Sequence, residues 1–258
     1  MRILLTNDDG IDSPGILAVL RELEKMGEVY VVAPDRERSG TGHSITVFSP
    51  IKAQRVEVPG SSALAWVIDG TPADCVKLGI SALIPKTPDY VVSGVNRGAN
   101  LGTDVLYSGT VSAALEGVIM GFPSVAVSLD SFNPNEDFSF AARFTRLVLR
   151  ILHREGVGKD IILNINVPCL PRSEIRGIRI TKLGVRRYEN LFEERKDPRG
   201  NSYYWLGGEV IREEQDPDSD VAAVTQGYIS ITPIHFDLTD YQLIEDFRRR
   251  FQPYIDIG

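Results

Sequence analysis

Short apolar runs alternate with helix-period patterns along the chain to about residue 180. The runs at 2–6, 29–33, 65–68, 90–92, 124–129 and 161–166 are brief and rich in Val, Ile and Leu. Polar turns bound them, which predicts buried strands. Weaker strand signals fall at 45–48 and 54–58. Behind Pro14, a good first-turn residue, Ile16, Val19, Leu20, Leu23 and Met26 recur at helical spacing, and Gly27 supplies a stop. Thr71-Pro72-Ala73-Asp74 opens a second helix with a cap and an acid in its first turn, and Val76, Leu78, Ile80 and Leu83 are its apolar positions. Further helices are predicted over 110–120, 138–153 and 239–251. Strands that are apolar throughout, separated by helices, predict an α/β fold: a Rossmann-like, doubly wound, mostly parallel sheet covered on both faces.

The pattern changes from about Gly184. Arg, Glu, Tyr and Asp dominate to about Asp220, Trp205 and Gly207-Gly208 suggest a hairpin, and 228–232 reads as one more strand. The organisation predicted is a core at 1–183 with a C-terminal hairpin and helix extension at 184–258, too poor in apolar residues to stand alone.

On a doubly wound sheet, ligands bind at the carboxyl ends of the strands near the switch point, so the loops that follow strands matter most. The first strand is followed by Asn7-Asp8-Asp9-Gly10, the second by Asp35-Arg36-Glu37-Arg38-Ser39-Gly40, and the strand at 90–92 by a Gly and Asn loop containing Asn96. Adjacent carboxylates repel, so Asp8 and Asp9 share a tight turn favourably only with a cation or donors nearby. Plain turn chemistry with one Asp capping a helix explains the tetrad about equally well on its own. Ser39 and Asn96 add a hydroxyl and an amide oxygen, and an all-oxygen set suits Mg2+, Mn2+ or Ca2+ rather than zinc. Ser108-Gly109-Thr110 precedes a helix, whose free amides and partial positive charge favour an anion; an ordinary cap is the plainer reading of that triplet alone. A metal ion beside an anion site points to phosphate chemistry.

Composition then narrows the field. The 258 residues carry a net charge of −7, which disfavours a nucleic-acid polymer as partner. Cys75 and Cys169 form no CxxC pair, and three histidines are too few for a His-rich metal site. Carboxylates, amides and hydroxyls remain as the chemical groups. No GK[ST] occurs, so a Walker A loop is absent, and no G-x-G-x-x-G follows the first strand. The Asp-x-Asp arrangement of carboxylate-nucleophile phosphatases is missing too, because Gly10 and Ile11 stand two beyond each Asp. No apolar run approaches the roughly 20 residues of a membrane helix, and 2–6 lacks the features of a signal peptide, so a cytoplasmic location is expected. Of His43, His153 and His235, only His43 lies near the loop of Ser39, where a plain loop role is the favoured reading.

Several blocks taken together resemble the SurE family of metal-dependent nucleotidases. They are Thr6-Asn7-Asp8-Asp9-Gly10-Ile11 with Pro14-Gly15, then Ala33-Pro34 with Arg38-Ser39-Gly40, and Gly70-Thr71-Pro72-Ala73-Asp74-Cys75-Val76. The longest is Ser93-Gly94-Val95-Asn96-Arg97-Gly98-Ala99-Asn100-Leu101-Gly102, continued by Tyr107-Ser108-Gly109-Thr110-Val111; Ser219-Asp220 and Gly227-Tyr228-Ile229-Ser230-Ile231-Thr232-Pro233 follow. Residues 184–218 match none of these motifs. The resemblance implies a Rossmann-like core and one divalent cation per subunit, held by Asp8, Asp9, Ser39 and Asn96. It implies hydrolysis of nucleoside 5′- and 3′-monophosphates, with short polyphosphate as a further substrate. It also implies a homodimer or homotetramer built through an exchanged C-terminal segment.

The expected activity is therefore that of a phosphomonoesterase. Asp8, Asp9 and Asn96 are the candidate catalytic residues, and Gly10, Asn96, Ser108, Gly109 and Thr110 the candidate phosphate-binding ones. Two rivals stand beside it, a non-catalytic metal-dependent nucleotide sensor and a nucleotide-sugar transferase. Metal-dependent release of phosphate from simple esters separates the phosphomonoesterase from both.

Overall fold

The computed structural model describes residues 1–156, 158, 160–211 and 215–254. Its first strand, β1 (Arg2–Thr6), buries Ile3, Leu4 and Leu5 completely. Successive side chains of a strand point to opposite faces, so a wholly apolar strand needs cover on both. Ile3 and Leu5 pack with Ile16, Val19, Leu20 and Leu23 of α1 (Pro14–Leu23). Leu4 packs on the other face, with Tyr30 and Val32 of β2 (Glu28–Pro34) and Cys75 and Val76 of α2 (Pro72–Leu78). The sequence between β2 and α2 forms β3 (Ala53–Val56) and β4 (Leu64–Ile68). Beyond α2 come β5 (Tyr90–Arg97), α3 (Gly109–Ile119), β6 (Ser124–Asp130), α4 (Ser139–Glu155) and β7 (Ile162–Pro168). Helices α1 and α4 lie on one face of the sheet, α2 and α3 on the other.

Among the described residues the main sheet has nine strands. After β7 it takes up β8 (Ile178–Ile180) and β13 (Ile229–Ile234), in the order β3-β4-β2-β1-β5-β6-β7-β13-β8. Pairing is parallel except at β3 with β4 and at β7 with β13. The chain therefore grows outward from β1 through β2 to β4, then returns to place β5, β6 and β7 on the opposite side. The order reverses between β1 and β5, and that is the switch point where the carboxyl ends of two neighbouring strands diverge. Gly15 makes the close packing there possible: a Cβ on it would lie 2.0 Å from the Val95 carbonyl oxygen of β5.

Several predicted elements differ in detail. Helix α1 stops at Leu23, capped by Glu24, short of Gly27. Helix α2 ends at Leu78 and passes into a π-helical turn, Gly79–Leu83, which carries Ile80 and Leu83. Residues 45–48 form no strand. Thr46 is bound to Asp74 instead, and Phe48 is fully exposed. The hairpin pairs β10 (Phe192–Lys196) with β11 (Ser202–Leu206), and its turn is tied at Asp197 and Gly200. Gly207-Gly208 leads from β11 into β12 (Glu209–Val210), which pairs with β9 (Tyr188–Glu189). β13 is not peripheral: it separates β7 from β8, so the main sheet crosses the sequence boundary at 184. Helices α5 (Asp220–Thr225) and α6 (Tyr241–Phe251) complete the chain.

Candidate active site at the switch point

The turn after β1 is shaped by Asn7. Its Nδ2 donates to the Gly10 carbonyl at 2.9 Å and to Ser13 Oγ at 2.8 Å, tying the turn to the start of α1. Gly10 takes φ +98, a conformation that side-chain-bearing residues rarely adopt. Asp8 is thereby turned inward and Asp9 toward the neighbouring strand. Asp8 is 4 % exposed; its Oδ1 accepts a 2.5 Å hydrogen bond from Thr110 Oγ1, and its backbone oxygen accepts from Arg38 N. Asp9 is half-buried, and its Oδ2 accepts from the Arg97 amide at 3.1 Å.

Asn96 precedes Arg97 on β5. The register of β5 against β6 shifts between Ser93 and Asn96, the kind of irregularity that re-aims a side chain. Asn96 is buried, and its Nδ2 donates to the Gly98 carbonyl at 2.8 Å. Oδ1 is left as the atom able to hold a cation. Ser39 is exposed in the loop after β2, where its hydroxyl donates to Glu37 Oε1 at 2.8 Å. Glu37 in turn pairs with the Arg97 guanidinium at 3.2 Å. Ser39 thus joins the Asp9–Arg97 pair through Glu37, a residue the sequence reading left without a role. Its only signal was membership in a charged loop following a strand.

The third contributor is the N-terminus of α3. Ser108 is its cap and spends its hydroxyl oxygen on the Val111 amide at 3.1 Å. Thr110 Oγ1 is committed to Asp8. Thr110 has given its proton to Asp8, whereas Ser108 only accepts from Val111 and keeps its own O–H, so the Ser108 hydroxyl and the first-turn amides are the donors an anion would meet. Gly109 fixes how close the helix comes: a Cβ there would lie 2.8 Å from Asp8 Cβ and 3.0 Å from its Oδ2. Asp8, Asp9, Gly10, Asn96 and the 108–110 turn thus gather around the switch point, while Ser39 stands at its open side. A cavity of about 320 Å3 opens beside them, lined by Asp9, Gly10, Asp35, Glu37 and Arg97. A larger hollow of about 890 Å3, lined by Asp130, Arg186 and Glu209, shares none of these residues.

Burial pushes the Asp8 carboxyl above its ordinary pKa, against the hydrogen bonds from Thr110. Burial, then the Asp8 charge, pushes Asp9 up to about 6. Two carboxylates that are costly to ionise together are the groups a hard cation relieves. Among the described residues no group of three or more His, Cys, Asp and Glu gathers in metal-ligating fashion. A cation here must take two carboxylates and complete its shell with neutral oxygens, and Asn96 Oδ1 and Ser39 Oγ are of that kind. The donor set fits a hard divalent ion.

Fold and site together define an α/β protein that presents two aspartates and a helix N-terminus at the switch point of a mostly parallel sheet. The chain belongs to the SurE family: the model for survival protein SurE matches residues 3–190. It is similar over most of its length to proteins named 5′-nucleotidase SurE. One from Syntrophomonas wolfei is 64% identical over 98% of this chain and 96% of the relative. Another, from Thermosynechococcus vestitus, is 53% identical over the whole of both. The crystal structure of the SurE protein from Aquifex aeolicus superposes with a TM-score of 0.84 at 41% identity, covering 97% of this chain and 99% of that one.

Proposed function

We propose that this chain is a divalent-metal-dependent phosphomonoesterase that hydrolyses nucleoside 5′-monophosphates, with 3′-monophosphates and short polyphosphate as further substrates. The observation that carries this reading is the approach of Gly109 to Asp8, which sets an anion-binding helix end directly against a buried carboxylate pair. The names of the relatives supply the nucleotide. Asp8, Asp9, Asn96 and Ser39 hold the cation, Mg2+ or Mn2+, one per subunit. When bound, it neutralises phosphate oxygens and lowers the pKa of a coordinated water. Thr110 locks the Asp8 carboxylate in place. The first-turn amides of α3, with Gly10 and Asn96, orient the phosphate group. Asp9 is the more open of the two acids, with one oxygen tied to the Arg97 amide, and is the one with access to a water proton.

The test is phosphate release from nucleoside monophosphates with Mn2+ or Mg2+. EDTA abolishes it, and Asp8→Asn lowers it by about a thousandfold or more while the circular dichroism spectrum is kept. A native rate in Asp8→Asn would overturn the mechanism. Tight nucleotide binding without release would make the protein a sensor, and turnover confined to nucleotide-sugars would make it a transferase.

Residues 1–183, completed by α5 and β13, act as the catalytic core, and the hairpin and α6 of the 184–258 extension act as an oligomerisation arm, giving a homodimer or homotetramer in the cytoplasm. Support comes from α6, none of whose residues is buried in the single chain, and from the exposed Phe192, Tyr204 and Leu206 of the hairpin. Among the described residues no helix is long and apolar enough to cross a membrane.

A further inference from the structure

His43, Glu116 and Lys77 meet on the α2 and α3 side of the sheet, away from the carboxylate pair. Glu116 lies on α3 with its side chain only 3% exposed. Its Oε2 meets His43 Nε2 at 2.9 Å and its Oε1 meets Lys77 Nζ at 2.5 Å. His43 first, then Lys77, holds the Glu116 carboxyl below its ordinary pKa. A buried carboxylate needs partners, but both of these come from elsewhere in the chain: Lys77 from α2, and His43 from the loop that carries Ser39.

That loop has much freedom to lose. Gly40 and Gly42 both take positive φ, +72 and +55, and nothing lies within 4 Å of where a Gly40 Cβ would be. Among the described residues, the Ser39 side chain is tied to Glu37 alone. On the upstream side Arg38 N donates to the backbone oxygen of Asp8 at 2.8 Å. Downstream, Gly42 N donates to the Tyr107 carbonyl at 3.0 Å, and one residue on, His43 reaches Glu116. Glu116 sits six residues, about 9 Å of helix, beyond Thr110, whose hydroxyl holds Asp8. One helix therefore grips Asp8 near its start and the Ser39 loop further along.

We infer that Glu116 is a positioning residue which, through His43, holds the Ser39 loop against α3 and so sets the affinity of the Asp8–Asp9 site for a divalent cation. This rests on the metal site proposed above. Lys77 shares the carboxylate but does not belong to the loop, so it separates anchoring from charge.

The test is Mn2+ binding to the full-length protein without nucleotide, measured by calorimetry. His43 lies on an open loop, so His43→Ala keeps the fold, checked by its thermal melt. It should weaken Mn2+ binding about tenfold, the lower end of what partners outside the ligand shell contribute. Lys77→Gln should stay within about twofold of the parent. Unchanged affinity in His43→Ala overturns the inference and leaves the metal site standing. Equal weakening in Lys77→Gln overturns it as well, since the loss would then be one of nearby charge. A parent protein that binds no Mn2+ removes the metal site and the inference together.

Discussion

Gly109 is the residue on which the site closes. Its backbone is ordinary helix, so alanine there is conformationally welcome and favours the helix by up to about 1 kcal/mol. The added methyl would nevertheless overlap Asp8 Cβ at 2.8 Å. Gly109→Ala should therefore lower the melting temperature modestly, overpacking costing about 1–3 kcal/mol against that gain, and lower kcat/KM on the order of a hundredfold if Asp8 has its proposed role, because displacing such a group by a fraction of an ångström is enough. A second residue-scale effect concerns Asp9. Its pKa is raised from 3.8 to about 6 in the folded chain, so ionisation costs stability. The penalty is absent below pH 3.8, grows as pH rises toward 6, and is constant above. Without metal, Asp9→Asn should gain stability over the parent across that window, read as a difference in melting temperature that widens from pH 4 to pH 7. If Asp8 and Asp9 are the proposed metal ligands, Mn2+ should reverse the order at pH 7, because only the parent keeps both carboxylates. Asp8 and Asp9 were legible in the sequence because adjacent acids in a turn are costly. Glu37, Arg97 and the Glu116 cluster were not, since a pairing across 60 or 73 positions leaves no local trace.

Elements were legible where burial is complete. Residues 3–5 of β1, 29–33 of β2 and 90–92 of β5 are apolar throughout because both faces are covered, and such short unbroken apolar runs carry that message. β8 was missed: it has three residues, and Ile178 and Ile180 are exposed on an edge. The 45–48 run misled because its apolar residues face solvent and a polar contact, Thr46 with Asp74, decides its path. Asp220 shows what the pattern could not reveal about α5. It is fully buried, and its carboxylate accepts from Gly102 N at 2.9 Å and Gly184 N at 2.8 Å. One side chain thus joins the loop ahead of α3, the segment after β8, and α5. Asp220→Ala would leave buried amides without acceptors, each costing roughly 1–3 kcal/mol. We expect urea unfolding to show a loss of about 3 kcal/mol, with residual activity falling as the 102–108 loop loosens. A loss under about 0.5 kcal/mol would mean that water replaces the carboxylate.

At the scale of the whole molecule, the C-terminal part divides in two. β13 and α5 are built into the core: Ile229 and Ile231 are buried with the main apolar cluster, and β13 pairs on both sides. α6 and the β10–β11 hairpin are not. On α6, Leu243, Phe247 and Phe251 all face solvent, and the last two rings stack with centroids 5.9 Å apart. These positions recur at helical spacing, with Arg248, Arg249 and Arg250 among them. An amphipathic helix with an unburied apolar stripe gains nothing by remaining in water. Its composition looked weak in the sequence for the same reason: a segment whose apolar residues stay exposed in the single chain shows few core positions of its own. Phe247→Asp combined with Phe251→Asp puts two charges on that stripe and replaces only exposed residues. If the stripe is an interface, the parent sediments as a dimer or tetramer and its melting temperature rises with protein concentration, as linkage requires. The double variant sediments as a monomer and melts at a temperature independent of concentration, while binding Mn2+ as the parent does, because the proposed ligands Asp8, Asp9, Ser39 and Asn96 all come from one chain. A variant that still sediments with the parent would place the contact on the hairpin, where Phe192, Tyr204 and Leu206 are the residues to change next.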